Sequence, residues 1–135
     1  MSDRAFLDTN ILIYYVSSDP AKKTLARQIV LSNPDLVVSS QVIGEFVSVC
    51  KRKGIFPDQD TYRLAGEFMN LFTFVTIEKT TLEASFGISR KYGYSFYDSL
   101  ILSTALENAC STLFTEDLQH GQQIEGSLKI VNPFH

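Results

Sequence analysis

Residues 6–10 read FLDTN and run straight into the apolar ILIYYV of residues 11–16. Residues 5–7 have the length and character of a short buried strand, and residues 10–16 read as a short helix with Asn10 as its N-cap. The strand therefore ends in Asp8. A carboxylate taken out of water needs a partner. The fold and the function both turn on what else reaches that place.

Short apolar runs and longer amphipathic stretches alternate along the rest of the chain. Helices are expected over residues 21–31, 41–53, 58–72, 80–91 and 95–108. Ser40 can cap the 41–53 helix and Gly54 stops it; Gly93 stops the 80–91 helix. Strands are expected at residues 36–38, 74–77, 112–114 and 128–131. Strands alternating with helices of this length indicate an α/β fold. It should be a three-layer α/β/α sandwich around a central, mostly parallel sheet of about five strands, with right-handed crossovers. No repeat or linker interrupts it, so residues 1–135 are expected to form a single domain.

The chain has 135 residues, 44% of them hydrophobic and 20% charged, which suits one globular unit with a full core. Cys50 and Cys110 lie in or beside apolar helical patterns without metal-ligand spacing, so a reduced, buried pair is expected. No apolar run approaches the roughly 20 residues that span a bilayer. The N-terminus lacks a secretory pattern, and a cytoplasmic location is expected. The net charge of -3 is not the footprint of a protein that coats nucleic acid non-specifically. Basic clusters do occur at Lys22, Lys23 and Arg27, at Lys51, Arg52 and Lys53, and at Arg90 and Lys91. If the substrate is nucleic acid, phosphates would be held there.

In a parallel sheet, strand ends and helix starts collect at the carboxyl edge, where open α/β sheets bind ligands. Four acids map to that edge. Asp8 follows the first strand. Glu45 lies early in the helix after the second strand. Asp98 opens the helix that leads to the fourth strand, and Asp117 follows that strand. Singly, each has an ordinary explanation: Asp98 completes S-x-x-D with Ser95, and Asp8 could cap the helix after it. Together they are costly. Two carboxylates about 4 Å apart repel by about 4 kcal/mol at an effective dielectric near 20, while a helix N-terminus returns only about 0.3–1 kcal/mol. A bound divalent cation resolves the conflict. All-oxygen ligands suit Mg2+ or Mn2+, and no His or Cys joins the set to favour zinc. Such an ion can orient a phosphodiester, activate water and stabilise the leaving oxygen.

Four blocks then carry a resemblance: FLDTN, SSQVIGEF around Glu45, YSFYDSLILSTAL around Asp98 and LFTEDLQHG around Asp117. In this order they resemble the PIN domain, and among PIN domains the VapC-type toxins of toxin–antitoxin pairs. The resemblance implies a Mg2+- or Mn2+-dependent endoribonuclease acting on RNA, a cognate antitoxin protein and a homodimer. Its acidic quartet falls on Asp8, Glu45, Asp98 and Asp117, with Glu116 as the alternative to its neighbour. Asp8, Asp98 and Asp117 would hold the metal or its waters, and Glu45 would also help to activate water. Asn10, Ser40 and Thr115 would orient the carboxylates. A PIN-like RNA-binding or assembly module without catalysis is the alternative, marked by loss of quartet carboxylates; none is missing. A phosphatase of the haloacid dehalogenase kind would need a second aspartate where Asn10 stands. A receiver domain would draw its acids mainly from strand ends. Phe96 and Tyr97 could stack on a base, and His120 reads as a solvated loop residue.

Overall fold

A computed structural model describes residues 3–135. In chain order the elements are β1 (Ala5–Leu7), α1 (Thr9–Tyr15), α2 (Pro20–Ser32), β2 (Leu36–Ser39), α3 (Ser40–Lys53), α4 (Asp58–Leu71), β3 (Thr73–Val75), α5 (Lys79–Tyr92), α6 (Phe96–Glu107), β4 (Thr112–Phe114), β5 (Gln123–Ile124) and β6 (Leu128–Val131). They form one six-stranded sheet in the order β3-β2-β1-β4-β6-β5. Every pair is parallel except β5 with β6. The sheet has one strand more than the five expected. The addition, β5, is two residues long, too short to carry a periodic signal.

Strand order fixes where a ligand can enter. The chain leaves β1 towards β2 and β3, then returns to lay β4 on the other side of β1. Ala5 pairs with Leu36 in one direction and Thr112 in the other. The carboxyl ends of β1 and β4 therefore flank the point where the order reverses, and a crevice opens there. Helices α1 to α4 pack among themselves, and α5 packs along α6. Right-handed crossovers on either side of the reversal put these two sets on opposite faces of the sheet.

The strands are short, but β1 and β2 are wholly buried. Their apolar side chains belong to one continuous cluster with Ile11, Phe46, Phe68, Leu102 and Ile130. Helix α6 is buried on all sides over residues 99–105, as its uncharged SLILSTA sequence requires. Its polar groups are satisfied locally: Ser103 Oγ donates to Thr81 O at 3.0 Å and Thr104 Oγ1 to Leu100 O at 2.7 Å. Gly54 ends α3 and Gly93 ends α5, both in the left-handed conformation, as expected. Both cysteines are free and buried. No described helix is long and apolar enough to cross a membrane.

Two caps fall earlier than the residues first in line for them. Asp8, which the sequence also offers as a cap, takes that role in α1 in place of Asn10, because the helix begins one residue earlier, at Thr9. Ser39, not Ser40, caps α3, accepting from Val42 N–H at 3.2 Å. In each case the helix starts one residue earlier than its pattern predicts, which moves the capping position back by one or two.

Candidate active site

Three consecutive residues after β1 reach two distant parts of the chain. Asp8 is buried; its Oδ1 accepts from Thr9 N–H at 2.7 Å and its Oδ2 from the Thr115 hydroxyl at 2.8 Å. Thr9 Oγ1 donates to Glu45 Oε2 at 2.8 Å. Asn10 Nδ2 donates to Asp117 Oδ2 at 3.1 Å. The DTN of the opening stretch thus ties the end of β1 to the end of β4 and to the second turn of α3. Thr115 is fully buried and works in both directions, since its oxygen also accepts from Asp117 N–H at 3.1 Å.

Gln41 supplies a second brace. Its Nε2 donates to Glu45 Oε1 at 3.1 Å and to the Tyr97 carbonyl at 3.2 Å. It therefore links α3 to the start of α6, where Asp98 stands. Ser95 Oγ accepts from Asp98 N–H at 3.2 Å, so the S-x-x-D turn forms as read. The Asp98 carboxylate itself makes no hydrogen bond among the described residues and stays half-buried. Ser40, expected beside the carboxylates, accepts from Ile77 N–H at 3.1 Å and so ties α3 to the end of β3. The hydrogen bonds to Glu45 come from Thr9 and Gln41. Neither was foreseen: the Gln41–Glu45 pair has readable i,i+4 helical spacing, but the Thr9 contact exists only once α3 packs on α1.

Glu116 and Asp117 part ways. Tyr14 donates its hydroxyl to Glu116 Oε1, and Lys22 Nζ donates to the same Tyr14 oxygen at 3.0 Å. Asp117 is the one joined to Asn10 and, through Thr115, to Asp8. Both line an open cleft of about 420 Å3 together with Asn10 and Glu45.

The electrostatics of this edge are those of a negative site short of counter-charge. Burial pushes the Asp8 carboxyl up from 3.8 to about 6, against the pull of its Thr115 and Thr9 hydrogen bonds, and Asp117 and Glu45 add to the rise. Asp117 is also raised, first by burial and then by Glu116, Asp98 and Glu45, while Asn10 opposes. Asn10 Oδ1 and Gln41 Oε1 are buried acceptors with no donor among the described residues. Each needs one from outside them. Among the described residues, no three His, Cys, Asp or Glu side chains close tightly enough to grip an ion unaided. Mg2+ dehydrates reluctantly and is commonly held by one or two carboxylates plus waters, so it fits this looser arrangement.

Residues 5–122 match the sequence profile of the PIN domain. A search of curated proteins gives no match. Among solved structures, the fold is similar to a toxin–antitoxin complex from Klebsiella pneumoniae, with 25% identity, a TM-score of 0.73, and 96% of this chain and 97% of that one covered. It is similar to Mycobacterium tuberculosis VapC20, described as a toxin cleaving the sarcin–ricin loop, with 16% identity, a TM-score of 0.70 and coverage of 84% and 91%. It is also similar to Rickettsia felis VapBC2 bound to a promoter DNA fragment, with 17% identity, a TM-score of 0.69 and coverage of 96% and 99%.

Proposed function

The chain belongs to the PIN domain family, and from that premise we propose that it is a Mg2+- or Mn2+-dependent endoribonuclease, the toxin of a toxin–antitoxin pair. The observation that carries this reading is the hub at Asp8, Thr9 and Asn10, which holds acids from β1, α3 and the end of β4 at one edge.

The residues divide the work. Asp8, Asp98 and Asp117 would hold the ion or its waters, with Glu45 beside them. When bound, the ion supplies charge to orient the phosphodiester and to ease ionisation of the attacking water. Glu45 has both carboxylate oxygens fixed, by Thr9 and Gln41, and so is aimed to take a proton from that water. Asn10 and Thr115 hold Asp117 and Asp8 in their rotamers. Asp8, with its raised pKa, ionises fully once a cation is near. No side chain serves as a covalent nucleophile.

The K. pneumoniae and R. felis structures are by description toxin–antitoxin assemblies, and they support a small antitoxin as the partner here. Large apolar side chains stay exposed on α2 and α4, among them Leu31, Tyr62 and Leu71, and they supply surface for that partner and for a homodimer. A chain that acts on RNA beside an antitoxin would work in the cytoplasm.

The test is cleavage of labelled RNA by the purified chain with Mg2+, with Mn2+ and with EDTA, beside a phosphatase assay on an aryl phosphate. RNA cleavage that needs the ion, with an inert aryl phosphate, is the expected result. Asp8→Asn and Asp98→Asn should each lower cleavage roughly 10²–10³-fold or more. Full metal-dependent activity in either variant would remove the site assignment.

A further inference from the structure

The chain has three basic clusters, and the fold gives them different surroundings. Lys22 bonds Tyr14 at 3.0 Å and lies over its ring. Arg27 stacks on Tyr15, 4.8 Å from the ring centroid. Lys91 pairs with Glu125 at 2.8 Å. Lys51 turns to Tyr62 at 2.9 Å and to Asp58 at 3.6 Å. Arg52 and Lys53 differ from all of these. Among the described residues neither makes an ion pair or a side-chain hydrogen bond, both are exposed, and both line the cleft that holds Glu45, Glu116 and Asp117.

The register of α3 explains the arrangement. Glu45, Val49, Arg52 and Lys53 fall at i, i+4, i+7 and i+8, on one face of the helix. Two turns separate Glu45 from Arg52, about 10 Å along the axis. That is too far for the cations to neutralise the carboxylates by pairing, and near enough for one extended anion to touch both ends. Gly54, in the left-handed conformation, ends α3 directly after Lys53 and leaves the pair at the helix terminus with open space beside it.

We infer that Arg52 and Lys53 form a phosphate-binding subsite that holds the RNA backbone at a phosphate neighbouring the one placed at the carboxylates. This rests on the nuclease reading for its substrate, but not for its geometry. RNA is favoured over a protein partner because its phosphates repeat along the strand: with a divalent cation at the carboxylates, one phosphate would meet that cation while a neighbour meets Arg52 and Lys53 in the same cleft. Arg52 offers a fork of donors suited to phosphate oxygens, and Lys53 a mobile point charge. Both are positioning residues, since neither stands at the reacting atoms.

The experiment uses the full chain carrying Asp8→Asn, to prevent cleavage, and a labelled single-stranded RNA titrated by fluorescence anisotropy over a range of KCl. Arg52→Ala/Lys53→Ala in that background should weaken binding about tenfold at low salt. It should also make the slope of log K against log salt shallower by roughly 1.4, two single-strand contacts. Arg90→Ala/Lys91→Ala removes the same two charges from the last turn of α5, outside the cleft, and should change neither quantity. In the otherwise native protein, Arg52→Ala/Lys53→Ala should raise KM and leave kcat within about twofold. The inference is overturned if the cleft variant keeps its parent's affinity and slope, if the α5 variant loses as much, or if the parent binds no RNA. It is also overturned if the cleft variant binds RNA normally but no longer holds a co-expressed antitoxin, which would assign the pair to the protein partner. A native chain that cuts no RNA yet shows the expected binding pattern would support the subsite and reject the nuclease reading, so the two failures are distinct.

Discussion

Asp8 sits at the end of a buried strand, caps a helix and faces two other carboxylates. Its folded-state pKa of about 6 lies above its ordinary 3.8, mainly through burial. The sign follows from linkage. A carboxyl whose pKa rises on folding contributes stability below its unfolded value, and that contribution is lost as pH climbs through the folded value. In EDTA, the native chain should lose stability between about pH 4 and pH 6, by about 3 kcal/mol at most, as the 3.8-to-6 shift implies. Asp8→Asn should flatten that slope in urea titrations and be the steadier protein at pH 7. Added Mg2+ should stabilise the native chain at pH 7 and help the variant much less. Thr9 acts one step away, by holding Glu45. Thr9→Val frees one oxygen of Glu45 and should cut kcat about 10–100-fold, while Thr9→Ser keeps the hydroxyl and most of the rate. Asp8 was legible because a carboxylate ending an apolar run is anomalous locally. Thr9 was not, since a threonine at a helix start is unremarkable until its tertiary partner is known.

Among elements, those with strong local signals emerged where they were read. Helix α3 runs from one strand to a glycine, and its three last-turn cations sit where the helix dipole favours them. Helix α6 stood out by lacking any polar face. Boundaries were less legible, because caps depend on where a strand releases its chain. Ser39 and Ser40 are adjacent and chemically alike, yet Ser39 Oγ accepts from Val42 N–H and Ser40 Oγ from Ile77 N–H. Ser39→Ala should cost about 1 kcal/mol in thermal or chemical melts through loss of the cap. Strand β5 left no trace in the sequence pattern; it exists because Ile124 pairs with Leu128 across a tight turn.

For the whole molecule, the α/β class and the parallel sheet followed from alternation alone. That Asp8, Glu45 and Asp117 are tied together at one edge follows from topology, since a parallel sheet sends its strand ends to one edge. How tightly the acids converge could not be read, because it is set by side-chain rotamers and by hydrogen bonds such as Gln41 to the Tyr97 carbonyl. The core offers a probe of global opening. Cys50 and Cys110 are both buried, and burial pushes the Cys110 thiol up to about 12. Neither should react with a thiol reagent at pH 8 in the native protein, and both should react in denaturant. Native-state labelling at an appreciable rate would mean that the core breathes far more than its packing implies.

The middle of the sheet is assembled from the two halves of the chain, with β1 lying between β2 and β4. During synthesis, Asp8 is joined to the chain 107 residues before Thr115, and until then it has neither Thr115 nor Asp117 beside it. Whatever reaction this edge performs can begin only after the strand starting at Thr112 has emerged and docked. A chain interrupted before that strand would hold Asp8 without the groups that complete the edge.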